Sequence, residues 1–343
     1  MEFRYISDKM KFLICGGFGF IGSTFIRNHF EKNPKDEIIN IDNLSLGSNK
    51  ANLEMLDDDK NYSFVEGNIS NLDIVEKLSK DVDVIINFAA ETHVDRSISN
   101  PKPFIETNVI GTYSLLEASK NNEKLFVHVS TDEVYGDLEN NAKPFLEKDN
   151  LNPSNPYSAT KASADLLVQS YVRTYKNNCI ITRCTNNFGP FQFPEKLIPK
   201  TIIRAQKNLQ IPLYGDGSQL RSWIHVIDHV LAIDLLVKKG IPGEIYNISS
   251  WNEISNKKIV EKILQKMNKS LDLIEFVSDR PGHDKRYSID SEKIHKEIGW
   301  SPTYEFEKAL EETVTWYQNN QNWWEPLVND RTLHPQPWTL TWN

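Results

Sequence analysis

Short apolar and β-branched runs alternate with longer stretches of helical period through the first half of the chain. Lys11–Cys15, Glu37–Ile41, Ser63–Glu66, Val82–Asn87, Lys124–Ser130 and Cys179–Cys184 predict strands. Apolar positions three and four apart predict helices over Ser23–Glu31, Ile69–Ser79, Pro103–Asn121 and Pro156–Tyr175. Such alternation is the pattern of βαβ units, so the expected class is α/β with a doubly wound parallel sheet. Beyond about Asn186 the rhythm changes. Gly189, Pro190, Pro194, Pro199, Pro212, Gly215 and Gly217 mark loops leaving the sheet. Short elements then run to about Gln321 and predict a smaller C-terminal α/β lobe. The stretch holding Trp323, Trp324, Trp338 and Trp342 shows no regular period. Three parts are expected: 11–186, 187–321 (interleaved with the first) and a tail, 322–343.

The first strand runs straight into Gly16-Gly17-Phe18-Gly19-Phe20-Ile21-Gly22, and a helix pattern opens at Ser23. Glycines at 16, 19 and 22 permit a tight turn, a close backbone approach to a pyrophosphate, and close packing of helix on sheet. Phosphates would sit at the positive end of that helix. The second strand leads into Asp42, placed to hold a ribose 2′-hydroxyl and to repel a 2′-phosphate. The sheet is therefore expected to be Rossmann-type, with NAD preferred to NADP.

Composition narrows the partners. A formal charge of −8 argues against nucleic acid, which needs a basic surface. No apolar run approaches the roughly 18 residues of a membrane span, and MEFRYISDKMKF has no signal-peptide core. Cys15, Cys179 and Cys184 lie in apolar stretches without metal-type spacing, so no metal is expected. An odd set of buried thiols fits a reducing cytoplasm.

Two further segments carry chemistry. The fifth predicted strand ends in Thr131-Asp132-Glu133-Val134-Tyr135-Gly136. A helix then opens on Tyr157-Ser158-Ala159-Thr160-Lys161, which puts Tyr157 and Lys161 on one face. A nearby ammonium favours phenolate and would make Tyr157 a usable base near neutrality.

These segments resemble the nucleotide-sugar branch of the extended short-chain dehydrogenase/reductase family, within it the NDP-glucose 4,6-dehydratases. The resemblance runs from about Lys11 to Gln321. It is carried by AAETHVDRS (89–97), TDEVYG (131–136), NPYSATK (155–161), NNFGPFQFPEKLIP (186–199), GDGSQLRSW (215–223) and DRPGHDKRY (279–287). It implies C4 oxidation of an NDP-glucose (dTDP or UDP), loss of water across C5 and C6, and hydride return to C6. That is a step of deoxysugar (rhamnose-type) biosynthesis.

The resemblance also implies roles. Tyr157 would take the 4-hydroxyl proton with Lys161 beside it, and Thr131 would bond the same oxygen. Glu133 would be the C5 base and Asp132 the acid at the 6-hydroxyl. The cofactor would meet Gly16, Gly19, Phe20, Ile21, Gly22, Asp42, Asn43, Leu44, Ser45, Asn68, Ile69, Ala89, Ala90, Glu91, Thr107 and Asn187. The substrate would meet His93, Asn186, Lys196, Leu197, Pro212, Leu213, Tyr214, Arg221 and Asn247. It would also meet Asp279, Arg280, Pro281, Gly282, His283, Asp284, Arg286 and Tyr287. Arg221 and Arg286 would clamp the diphosphate, since guanidinium forks match phosphate oxygens.

Two positions depart from the family pattern. Asn68 stands where an Asp is usual, and Ser222 where an acidic residue usually follows Arg221. An NDP-sugar 4-epimerase would use Tyr157 alike without needing Asp132 and Glu133; a non-catalytic NAD-binding regulatory protein would need none of the set. Ala159, Ala162 and Leu166 form a small apolar stripe on the far side of the Tyr157 helix. The stripe predicts a second helix packed there, and the resemblance implies a homodimer built on this helix and the Pro103–Asn121 helix.

Overall fold

The computed structural model describes residues 9–120 and 124–342. The expectation drawn from the first eight residues lies outside them, as do 121–123 and Asn343. Seven parallel strands form the main sheet: β1 (Lys11–Cys15), β2 (Glu37–Asp42), β3 (Tyr62–Glu66), β4 (Val84–Asn87), β5 (Leu125–Thr131), β6 (Cys179–Cys184) and β10 (Ile245–Ile248). Their spatial order is β10-β6-β5-β4-β1-β2-β3. The chain reverses direction across the sheet between β1 and β4, the switch point where open α/β sheets bind ligands at the strands' carboxyl ends.

Both faces are covered, which is why the strands read as continuous apolar runs rather than alternating ones. α1 (Phe20–Lys32), α8 (Val226–Lys239) and α10 (Glu292–Ile298) close one face over Phe12, Ile14, Val127 and Ile180. α2 (Leu72–Ser79), α5 (Thr112–Ser119) and α6 (Pro156–Tyr175) close the other over Leu13, Ile85, Phe126 and Ile181. All three cysteines are free and buried.

A second core holds the smaller lobe. It gathers α7 (Leu197–Gln206), β8 (Ile211–Tyr214), β9 (Leu220–His225), α9 (Asn256–Lys266) and α11 (Phe306–Asn319) around Ile202, Leu213, Ile263 and Leu310. Its strands pair as β11 (Glu253–Ser255), β9 and β7 (Asn186–Phe188), and as β12 (Ile274–Val277) with β8.

Several elements differ from expectation, each for a local reason. α1 starts at Phe20, inside the glycine loop. α2 starts at Leu72, because Asn71 caps it by accepting from the Ile74 amide. The helix expected over Pro103–Asn121 is interrupted: α4 (Lys102–Phe104) leads into a π-helical turn at Ile105–Gly111 and then α5, and α3 (Val94–Ser99) is a separate helix before it. The Asn108 side chain leaves that turn to bond both the amide and the carbonyl of Glu91. α6 keeps its expected bounds: Asn155 and Ser158 form a capping box, Pro156 opens the first turn, and Lys176 ends it in left-handed backbone.

The tail is not featureless. α12 (Gln321–Trp324) packs Trp324 into the second core, with its indole donating to the Tyr317 carbonyl. Farther on, Trp338 meets the Tyr214 ring edge-on, and Ser99 and Asn100 of the first half donate to the carbonyls of Leu340 and Trp342.

Candidate active site

One long cleft crosses the carboxyl ends of the strands, with the glycine loop at one end and the acidic turn and α6 at the other. A Cβ on Gly22 would lie 2.4 Å from the Gly16 carbonyl oxygen, so only glycine lets α1 sit this close to the loop. Gly16 has φ +77° and its Cβ would fall 2.7 Å from the Ala89 backbone. Gly19 caps α1 without a side chain, so the first-turn amides of α1 are left for a ligand. Asp42 is buried at the end of β2. Its carboxylate accepts from the amides of Phe18 and Leu44 (3.0 and 2.9 Å) and from the Ser48 hydroxyl (2.8 Å). These features fit a dinucleotide.

Gly16, Gly19, Phe20, Ile21, Gly22, Asp42, Asn43, Ser45, Asn68, Ile69, Ala89, Ala90, Thr107 and Asn187 all line this cleft. Leu44 and Glu91 do not. Leu44, at φ 55°, packs against the first core. Glu91 turns to Arg96 at 3.2 Å.

At the far end Thr131, Asp132, Glu133, Tyr157 and Lys161 line the same wall. β5 delivers the first three through a tight 3₁₀ turn, Asp132–Tyr135, that opens with the Glu133 amide donating to the Thr131 hydroxyl. Thr131 donates to Asp132 Oδ1 at 3.1 Å, while Asp132 Oδ2 is buried without a partner among the described residues. Burial, then the Glu133 charge, pushes the Asp132 carboxyl up to about 7. Glu133 is also raised, chiefly by burial, with Arg280 and Arg221 opposing. Two adjacent carboxyls in a dry site cannot both ionise readily, so one is kept as an acid.

The Tyr157 phenol is pushed well above its usual value, first by burial and then by the Glu133 charge, with the Thr131 hydroxyl pulling the other way. Burial and Glu133 therefore oppose the phenolate that the base role needs. Lys161 is itself lowered by burial to about 8 and donates to the Val129 carbonyl at 2.7 Å.

The residues expected from the smaller lobe are dispersed. Asn186 and Lys196 line the cleft. Leu197 opens α7 just behind them. His93 is buried, lowered to about 4 by that burial, with its Nε2 3.9 Å from Glu195. Leu213 belongs to the second core, and Pro212 is paired on β8 with Glu275. Tyr214 and Arg280 both bond Asp95, at 2.8 and 2.7 Å. His283 pairs with Asp279 at 2.6 Å, and the Tyr287 hydroxyl donates to Asp284. Pro281 and Gly282 form the turn between them, with Gly282 in left-handed backbone.

Two expectations are corrected outright. Arg286 does not face the cleft: its guanidinium forks onto Glu253 at 2.6 and 2.8 Å and also bonds the carbonyls of Glu139, Asn140 and Ala142. Asn247 is fully buried on β10, accepting from the Tyr135 hydroxyl and donating to the Phe145 carbonyl. Arg221 bonds the carbonyls of Leu220, Lys285 and Asp284 and lies 4.1 Å over the Tyr287 ring. Its charge still acts on both carboxyls of the acidic turn.

Some lining residues had no sequence signal assigned. Gln192, Phe193 and Glu195 also line the cleft, and Glu195 holds Arg96 at 3.0 Å. They lie within the Asn186–Pro199 motif, whose length alone could have pointed to more than its ends.

Residues 13–313 match the family described as GDP-mannose 4,6 dehydratase. Among curated proteins, the chain is 49% identical over 309 residues to the low-salt glycan biosynthesis protein Agl12 of Haloferax volcanii, covering 90% of this chain and 98% of that one. Among solved structures, dTDP-glucose 4,6-dehydratase from Bacillus anthracis in complex with NAD is 46% identical with a TM-score of 0.87. DesIV, a dTDP-glucose 4,6-dehydratase from Streptomyces venezuelae with NAD and TYD bound, is 42% identical with a TM-score of 0.90. Each superposition covers 93% of this chain and 100% of the other.

Proposed function

Because this chain belongs to the GDP-mannose 4,6 dehydratase family, we propose that it is an NAD-dependent nucleotide-sugar 4,6-dehydratase acting on dTDP-glucose. The observation that carries this reading is the acidic pair. Asp132 and Glu133 share one wall with Tyr157 and Lys161, and Asp132 is held as a proton donor near neutrality. The named substrate of the similar proteins supplies the sugar and the base.

NAD, held along the glycine loop, supplies hydride acceptance from C4 and hydride return to C6. Tyr157 takes the proton of the 4-hydroxyl, with Thr131 bonding the same oxygen and the Lys161 charge favouring the phenolate. The new 4-ketone acidifies the C5 proton, and Glu133 takes it. Asp132 gives its proton to the departing 6-hydroxyl, which leaves as water. A proton then returns to C5. The cycle is redox-neutral: the hydride lost at C4 is regained at C6. The product is the 4-keto-6-deoxy sugar nucleotide, a deoxysugar precursor.

We assign 11–186 to NAD binding, 187–321 to the nucleotide sugar, interleaved with the first part because β10, α8 and α10 complete its layers, and 322–343 to a tail. No helix among the described residues is long and apolar enough to cross a membrane, and we place the enzyme in the cytoplasm. We also assign it a homodimer, on altered grounds. Ala162 packs inside the chain against Val134, Tyr135 and Ile289, but Ile110, Tyr113 and Leu166 expose large apolar side chains. A monomer by light scattering at micromolar concentration would count against the dimer.

The deciding assay supplies dTDP-glucose deuterated at C4, with UDP-glucose in parallel. The expected result is a 4-keto product carrying deuterium at C6, formed faster from dTDP-glucose. Label kept at C4 of a galactose epimer, or no ketone at all, would sink the reading.

A further inference from the structure

The acidic turn and the Tyr157 helix touch through Ala162, packed on Val134 and Tyr135, and one buried charged side chain also bridges them. Arg183 on β6 is 1% exposed. Its Nε donates to Asp165 Oδ2 at 2.8 Å, and its Nη1 donates to the Tyr135 hydroxyl at 2.7 Å. Asp165 lies on α6 one helical turn beyond Lys161 and two beyond Tyr157. Tyr135 closes the 3₁₀ turn that begins at Asp132. The Tyr135 hydroxyl donates onward to Asn247 Oδ1 at 2.9 Å, and its ring stacks on Phe145 at 5.1 Å. Asp165, Arg183, Tyr135, Asn247 and Phe145 do not line the cleft.

A buried trio of this kind carries a desolvation cost that apolar residues of the same volume would avoid. What it provides in exchange is direction. A guanidinium bonds only along its planar fork, so the separation of Asp165 from Tyr135 is fixed by Arg183. We infer that Asp165, Arg183 and Tyr135 are positioning residues that hold the Asp132–Glu133 turn in register with Tyr157 and Lys161. The inference rests on the dehydratase reading above. Oxidation at C4 uses α6 without the turn; elimination uses the turn against a sugar placed by α6. Loosening the bridge therefore slows elimination and leaves binding alone.

Tyr135→Phe deletes one hydroxyl and keeps the ring stack; Asp165→Asn keeps volume and removes the charge. Each should lower kcat for the 4-keto-6-deoxy product about ten- to a hundredfold, the scale of a small misplacement, with KM within about twofold. Combined with Asp132→Asn, Tyr135→Phe should add less than about twofold, because it acts through that turn. Parental kcat in both single variants, or losses that multiply with that of Asp132→Asn, overturn the inference. If Asp165→Asn fails to fold, Tyr135→Phe decides alone. The unsubstituted enzyme with C4-deuterated substrate is the control. If it moves no label to C6, the dehydratase reading falls and takes this inference with it; if it does and the variants match it, only the inference falls.

Discussion

The two sides of the cleft were assembled differently. On the sheet side, the glycine loop, Asp42, the acidic turn and the start of α6 are each a strand end or helix start, and nearly all their expected residues line one wall. Among the expected substrate residues, arginines of the smaller lobe and an asparagine on the outermost strand of the main sheet are consumed by internal bonds. Arg286 serves Glu253 and three carbonyls, and Asn247 serves Tyr135. A motif fixed by its own strand–turn–helix carries its geometry with it. A residue from a loop between lobes takes its orientation from partners far away in the chain.

The strongest way to break this contrast is at Tyr157. Tyr157→Phe should lose about 10²- to 10⁴-fold in kcat while still binding dTDP-glucose, because only the proton acceptor is removed. Near-parental turnover by direct assay of the 4-keto product would show that another group starts the reaction.

Next come the carboxyls. Asp132→Asn and Glu133→Gln should each slow water loss roughly 10²-fold. The pH dependence should separate them. Asp132 works in its protonated form, and rising pH removes that proton around 7, so kcat should fall on the alkaline side there. Asp132→Asn should abolish that limb. Glu133→Gln should retain it, moved to lower pH because the charge that helps raise Asp132 is gone, and should slow exchange of the C5 proton with deuterated solvent. A parental profile in Asp132→Asn would return the pair to a structural role and favour the epimerase reading.

A smaller effect is expected at Asp42. Asp42→Asn should weaken NAD about tenfold and narrow the gap to NADP, since one charge-assisted bond is lost. Calorimetric titration with both nucleotides measures this; an unchanged preference would place discrimination elsewhere.

The smallest effect on activity is expected where the substrate-lobe expectation failed. Arg286→Met should leave KM for dTDP-glucose within about twofold but cost about 1–3 kcal/mol of stability by denaturant unfolding, since buried acceptors lose their donor. A large rise in KM would restore Arg286 to the diphosphate.

How much was legible follows the same divide. The strand-then-helix alternation, the sheet class and the capped start of α6 were readable because hydrophobic period and Asn-Pro chemistry act locally. The π-helical turn at Ile105–Gly111 was not, because it depends on Asn108 finding the Glu91 backbone. The environment of Tyr157 was also hidden: spacing put Lys161 on its face, but could not show the burial and the Glu133 charge that raise the phenol. Arg183 gave no motif at all. Its importance comes from what surrounds a single position in the middle of a strand.

The end of the chain has a consequence for how the protein is made. Ser99 and Asn100 receive their partners from Leu340 and Trp342, sequence separations of 241 and 242 residues. The sheet up to β6 is synthesised long before those partners exist, and domains of this size fold as the ribosome delivers them. The first half therefore waits with one edge of α3 uncovered until Leu340 and Trp342 have been made. A chain cut before Leu340 would keep the strands of its main sheet and leave that seam open.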